Sequence, residues 1–175
     1  MDKWEPWKWY PQVWKNKTAF FTYLRGSLRK AVWNQSPIKI IFKNGACSKP
    51  PEGYTGRAKS GAYCALSGEW EGKSKLEVDH ISGNVSINDE SEILEFLKHL
   101  IPPPNSLQLV TPEAHKAKSY AERQGLSFDE ATVQKKAIAI LKEQSGKPWL
   151  IERGIVPASS APKRREQIVN YLKEN

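Results

Sequence analysis

Residues 18–33 carry Phe20, Phe21, Leu24, Leu28, Ala31 and Val32 at helical spacing, with Arg25, Arg29 and Lys30 on the remaining positions. The pattern predicts an amphipathic helix. Residues 38–42 form a short apolar run, read as a strand. Residues 44–60, rich in Gly, Pro, Lys and Arg, read as a loop. A strand and a turn at Ser67-Gly68 are expected over 62–70. Residues 76–81 alternate between apolar and polar, which predicts another strand. A short helix opens at Asp89 and runs to Leu100, with Ile93, Leu94, Phe96, Leu97 and Leu100 on its apolar face. Pro102-Pro103-Pro104 ends it, and 107–110 is the next strand.

Thr111-Pro112-Glu113 announces a further helix: Thr as N-cap, Pro in the first turn, Glu at the positive end of the dipole. It is predicted to reach Arg123 and to stop at Gly125. Ser127-Phe128-Asp129-Glu130 opens another, extending to about Gln144, and Gly146-Lys147-Pro148 breaks it. Residues 158–162 are a small-residue linker, and 163–173 a last short helix. The chain shows no internal repeat. The class is α+β.

At the N-terminus, Trp4, Trp7, Trp9, Tyr10 and Trp14 interleave with Lys3, Lys8, Lys15 and Lys17, and Pro6 and Pro11 argue against a continuous helix. Core packing is the favoured role of these rings; stacking on bases beside the lysines is the other.

Charge divides the chain into three parts. Residues 1–45 hold nine Lys and Arg against two acids, residues 46–125 nine against eleven, and residues 126–175 nine against six, within a net charge of +8. Basic flanks around a slightly acidic centre suit a polyanion gripped outside and a cation held inside. The bland alternative is a solvated basic surface. No apolar run approaches a membrane span, and no apolar signal core opens the chain, so an intracellular, cytoplasmic protein is expected. Cys47 and Cys64 form no CxxC pair, so no structural zinc is expected and the thiols read as reduced.

The candidate chemistry lies in Asp79-His80, at the end of a strand, and in His115, in the first turn of a helix. A carboxylate binds a hard divalent cation, and a nearby imidazole takes a proton from water near neutral pH. On a regular strand, adjacent side chains point to opposite faces. A turn or bulge would let both edge one cleft. Helix N-terminal N–H groups favour phosphate, and Lys118 lies three residues beyond His115 on the same helix face. Lys116 is less well placed. Arg57 and Lys59, in the basic loop, are candidate phosphate contacts, as are Arg25, Arg29 and Lys30. Lys163, Arg164 and Arg165 mark a possible DNA-binding appendage, a helix packed back on the core, or a partner contact. His99, near a helix C-terminus, reads as structural. Asp89, Glu90, Glu92 and Glu95 read as a solvated helix face rather than a metal site.

The segment Leu76-Glu-Val-Asp79-His80-Ile81, a loop, and then Ser106-Leu-Gln-Leu-Val-Thr-Pro-Glu-Ala-His115-Lys-Ala-Lys118 resembles the HNH (ββα-metal) endonucleases, those of phages and homing elements above all. The likeness covers about residues 60–123. It implies a ββα-metal core over 46–125, with a Trp-rich basic extension over 1–45 and C-terminal helices over 126–175. It also implies that Asp79 and His115 bind the metal and that His80 is the general base. Cleavage of double-stranded DNA would then leave 5′-phosphate and 3′-hydroxyl ends. Mg²⁺ is the expected ion, with Mn²⁺ or Ni²⁺ as substitutes, and the enzyme would act as a monomer or homodimer. The family usually carries Asn nine residues before the last His, where this chain has Ser106; Asn105 stands one place earlier. Either could brace the catalytic loop. The alternative is a DNA-binding or packaging accessory protein that keeps the fold without the catalysis.

Overall fold

Asn16 accepts a hydrogen bond from the Ala19 backbone through its side chain and so starts the first long helix. The structure is a computed structural model that describes residues 3–83 and 85–175. It contains eight α-helices and two two-stranded antiparallel sheets among the described residues, an α+β arrangement. The chain divides into two units, Met1–Val110 and Thr111–Asn175.

In the first unit, a short helix α1 (Pro6–Trp9) begins with Pro6 in its first turn, so the proline starts a helix as readily as it limits one. The helix α2 (Lys17–Leu28) continues into a π-helical segment, Arg29–Asn34. Phe20, Phe21, Ile87, Phe96 and Leu100 form the core here, with Trp7, Trp14, Leu24, Leu28, Val32 and Trp33 packed around them. Trp4, Trp7 and Trp14 contact the Phe20 ring at 5.0–5.8 Å between centroids, so these three tryptophans are packing groups. Trp9 remains half exposed.

The expected strand over 38–42 is instead the middle of helix α3 (Pro37–Ala46). The Ser36 side chain accepts from the Ile38 N–H, and Pro37 occupies the first turn. That cap outweighs a short apolar run, whose Ile38, Ile41 and Phe42 also satisfy helical spacing. The expected loop therefore starts only after Ala46.

Strands β1 (Gly61–Tyr63) and β2 (Trp70–Gly72) pair antiparallel, as do β3 (Glu77–His80) and β4 (Leu107–Val110). Gly61 cannot carry a side chain, because a Cβ would lie 2.0 Å from the Glu71 carbonyl oxygen. The Ala65 N–H donates to the Leu109 carbonyl and ties the first hairpin to β4. Asp89 caps a 3-10 turn, Glu90–Glu92, that runs into α4 (Ile93–Leu100), with Glu92 closing the capping box. The first unit thus joins α2 to α4 and the segment before it, since Phe20 and Phe21 share a core with Ile87, Phe96 and Leu100.

In the second unit, Thr111 caps α5 (Pro112–Gln124), and Gly125 ends it at φ +64°. Ser127 caps α6 (Phe128–Lys142) with a capping box to Glu130. The helix is interrupted before Pro148, as expected, and Pro148 sits in the first turn of a short helix α7 (Lys147–Ile151). The last helix is α8 (Ala161–Glu174). Ala137, Leu150, Ile168 and Val169 form the core of this unit. Helix α5 packs on α6, which is why the division falls after Val110 and not at 125. No helix of the described residues is long and apolar enough to cross a membrane.

Candidate active site around His80

The antiparallel register places Asp79 opposite Gln108 and His80 opposite Leu107. Adjacent residues of a strand face opposite ways, so the two side chains meet different surroundings. The Gln108 amide donates to Asp79 Oδ2 at 3.0 Å. His80 lies instead among Trp33, His99, Pro102, Pro103 and Ser106. Both are nearly buried, Asp79 at 9% exposure and His80 at 8%.

His80 Nε2 lies 2.8 Å from the backbone carbonyl oxygen of His99. That carbonyl belongs to the last turn of α4, where carbonyls lack a partner inside their own helix. A carbonyl only accepts, so Nε2 carries the proton, and in the neutral ring the lone pair sits on Nδ1. The strand and the helix end therefore select one tautomer. His80 also lines a cavity of about 290 Å³ with Ser82, Glu95, Lys98, His99 and Ser106.

Ser106, rather than Asn105, reaches this cavity. Asn105 is exposed on the 3-10 turn Pro104–Ser106, while the Ser106 carbonyl accepts from the Ile81 N–H at 2.9 Å. The residue after His80 is thus braced by backbone, which needs no asparagine.

His115 belongs to the second unit, half-buried in the first turn of α5. Its N–H bonds to the Thr111 carbonyl, the Ala114 N–H to the Thr111 hydroxyl, and Pro112 has no N–H. At most the Glu113 N–H remains for an anion, so the expected phosphate cradle at this helix start is not formed. Lys118 is largely covered and lies 3.9 Å from Glu122, so it is not the open phosphate contact expected of it. Among the described residues no group of three or more His, Cys, Asp and Glu side chains is arranged to hold a metal ion. Cys47 and Cys64 are not joined in a disulfide.

The basic candidates separate into two sets. Arg25 donates to the Ser86 hydroxyl, and Arg29 donates to the Val85 carbonyl and lies over the Phe96 ring. These two brace the segment after β3 instead of standing open for DNA. Burial, with Arg25 nearby, lowers the proton affinity of Arg29 from its ordinary value. Arg164 is buried and donates to the carbonyls of Ser145, Ala158 and Ser159, and Arg165 donates to the Tyr120 hydroxyl. Both hold helix α8 in place. Lys30, Arg57, Lys59, Lys116 and Lys163 are exposed. Asp89 pairs with Lys17 at 2.6 Å and caps its helix, while Glu95 pairs with Lys98, so this acidic run serves local structure.

Trp33 and Gln108 escaped the sequence reading, and His99 is read there as structural. Only His99 gave a local signal, its place near a helix end. No family model, curated protein or solved structure matches the chain.

Proposed function

We propose that this chain is a divalent-metal-dependent DNA endonuclease of the HNH type. The observation that carries the reading is the His80 Nε2 contact with the His99 carbonyl, which leaves Nδ1 as the basic nitrogen of a ring at the edge of a cavity. The order strand, strand, helix over β3, β4 and α5 supports it, as does a carboxylate and an imidazole at Asp79 and His115.

In this reading His80 accepts a proton from water at Nδ1, and the resulting hydroxide attacks a phosphodiester to leave 5′-phosphate and 3′-hydroxyl ends. Gln108 orients the Asp79 carboxylate. The HNH resemblance assigns the ion to Asp79 and His115, a carboxylate and an imidazole of the kinds that bind Mg²⁺, Mn²⁺ or Ni²⁺. When bound, such an ion stabilises the negative charge that grows on the phosphate and the leaving oxygen. Exposed Lys30, Arg57, Lys59, Lys116 and Lys163 contribute to affinity for double-stranded DNA. One site per chain makes nicking the natural outcome for a monomer, and a homodimer would cut both strands. A phage or homing element is the proposed setting, and the cytoplasm of its host the place of action.

The coverage of the His80 ring by Trp33 and His99 favours a second reading, a DNA-binding accessory protein without catalysis. Nicking of supercoiled plasmid with Mg²⁺ separates the two. The native chain is expected to nick, and His80→Ala to lose about 10²- to 10⁴-fold in rate. Retained DNA binding with no cleavage by the native chain, across Mg²⁺, Mn²⁺ and Ni²⁺, supports the accessory role.

A further inference from the structure

The imidazole of His80 has a neighbour on each face. The Trp33 ring centroid lies 4.1 Å from it at an interplanar angle of 37°, and the His99 ring 4.1 Å from it at 23°. At that separation each ring covers a face, and a face has room for only one ring, so His80 is held between them. Trp33 is fixed in turn. Its ring carries the Lys39 ammonium 5.0 Å from the centroid, and its side chain packs against the Phe20–Phe96 core.

The register of Trp33 comes from an unusual backbone. Residues Arg29–Asn34 are π-helical, directly continuous with α2. A π-turn widens the helix and rotates every side chain beyond it relative to an uninterrupted α-helix, and such turns often mark functional positions. Here the rotation delivers an indole to one imidazole.

We propose that Trp33 and His99 are positioning residues that clamp His80 in a single orientation and in the Nε2–H tautomer, deepening the endonuclease reading on which their catalytic consequence rests. The His99 carbonyl sets which nitrogen bears the proton, and the two rings stop the imidazole from turning away from it. A base held this way presents Nδ1 at one point, and a displacement of about 1 Å from such a point costs on the order of 10²-fold in rate.

The test is ¹⁵N imidazole spectroscopy on the full chain near neutral pH, with plasmid nicking measured on the same samples. The native chain should show one set of His80 signals, Nε2 protonated and Nδ1 unprotonated. Trp33→Ala should average those signals and lower kcat about 10²-fold with KM for DNA little changed. Trp33→Phe should restore the single tautomer. His99→Ala, which keeps the carbonyl and removes only the ring, provides a second variant with a small folding cost and should broaden the same signals. Averaged signals in the native chain overturn the clamp, and so do unchanged spectra in both alanine variants. A native chain that shows the single tautomer and loses it in these variants, yet never nicks DNA, keeps the clamp and removes the endonuclease reading.

Discussion

Gln108 stands directly across the β3–β4 pair from Asp79 and donates its amide to Oδ2 at 3.0 Å. A carboxylate oriented in this way is the usual partner of a bound cation, and removal of an orienting group commonly costs about 10- to 100-fold in metal affinity or activity. Gln108→Leu is therefore expected to raise the Mg²⁺ concentration for half-maximal nicking by about that factor. Its far-ultraviolet circular dichroism should stay native. A metal titration of nicking by the two proteins checks this, and equal half-saturation points would remove Gln108 from the site.

Arg164 illustrates how a basic residue becomes part of the fold. Its guanidinium donates to three backbone carbonyls at 2.6–2.9 Å, and the side chain is buried. Arg164→Ala leaves those carbonyls without their charged donor. A loss of about 2–4 kcal/mol in urea unfolding is expected. The salt dependence of DNA binding should not change, whereas Lys163→Ala should lower the salt slope without touching stability.

The Lys17–Asp89 pair makes a prediction about pH. The Lys17 ammonium, together with the Ser91 N–H, holds the Asp89 carboxyl at about 2, below its ordinary 3.8. A carboxyl lowered in the folded state adds stability in full above its ordinary value, and that contribution fades as pH falls from 3.8 toward 2. In Lys17→Met the Asp89 midpoint should move upward in a ¹³C carboxyl titration while remaining under 3.8, because Ser91 still donates. A midpoint that stays at about 2 would assign the shift to the cap alone.

Gly125 closes α5 at φ +64°, with open space where a Cβ would stand. Backbone strain alone should then set the effect of Gly125→Ala, about 1–2 kcal/mol of destabilisation in thermal or urea unfolding. Gly125→Asn should cost less, since asparagine tolerates the left-handed region better.

The sequence was sufficient wherever one turn of chain contained its own signal. Thr111 before Pro112, Ser127 before Glu130, Asp89 before Glu92 and Gly125 after Gln124 each set a helix end through bonds spanning three or four residues. Alternation over 76–81 located β3 for the same reason. Residues 38–42 misled because four or five apolar residues satisfy either period, and the decisive Ser36 cap lay just outside the run.

What the tertiary structure alone decided is the company that each polar group keeps. Whether Arg25, Arg29 and Arg164 face solvent or a protein oxygen depends on segments beyond their own helical turn. Gln108 meets Asp79 only because the long connection between β3 and β4 closes in one register. Trp33 and His99 reach His80 from a π-turn and from a helix end that share no local pattern with it. Capping and periodicity act within a turn or two, whereas burial is settled by the packing of whole elements, and it is burial that separates a candidate base from its neighbours.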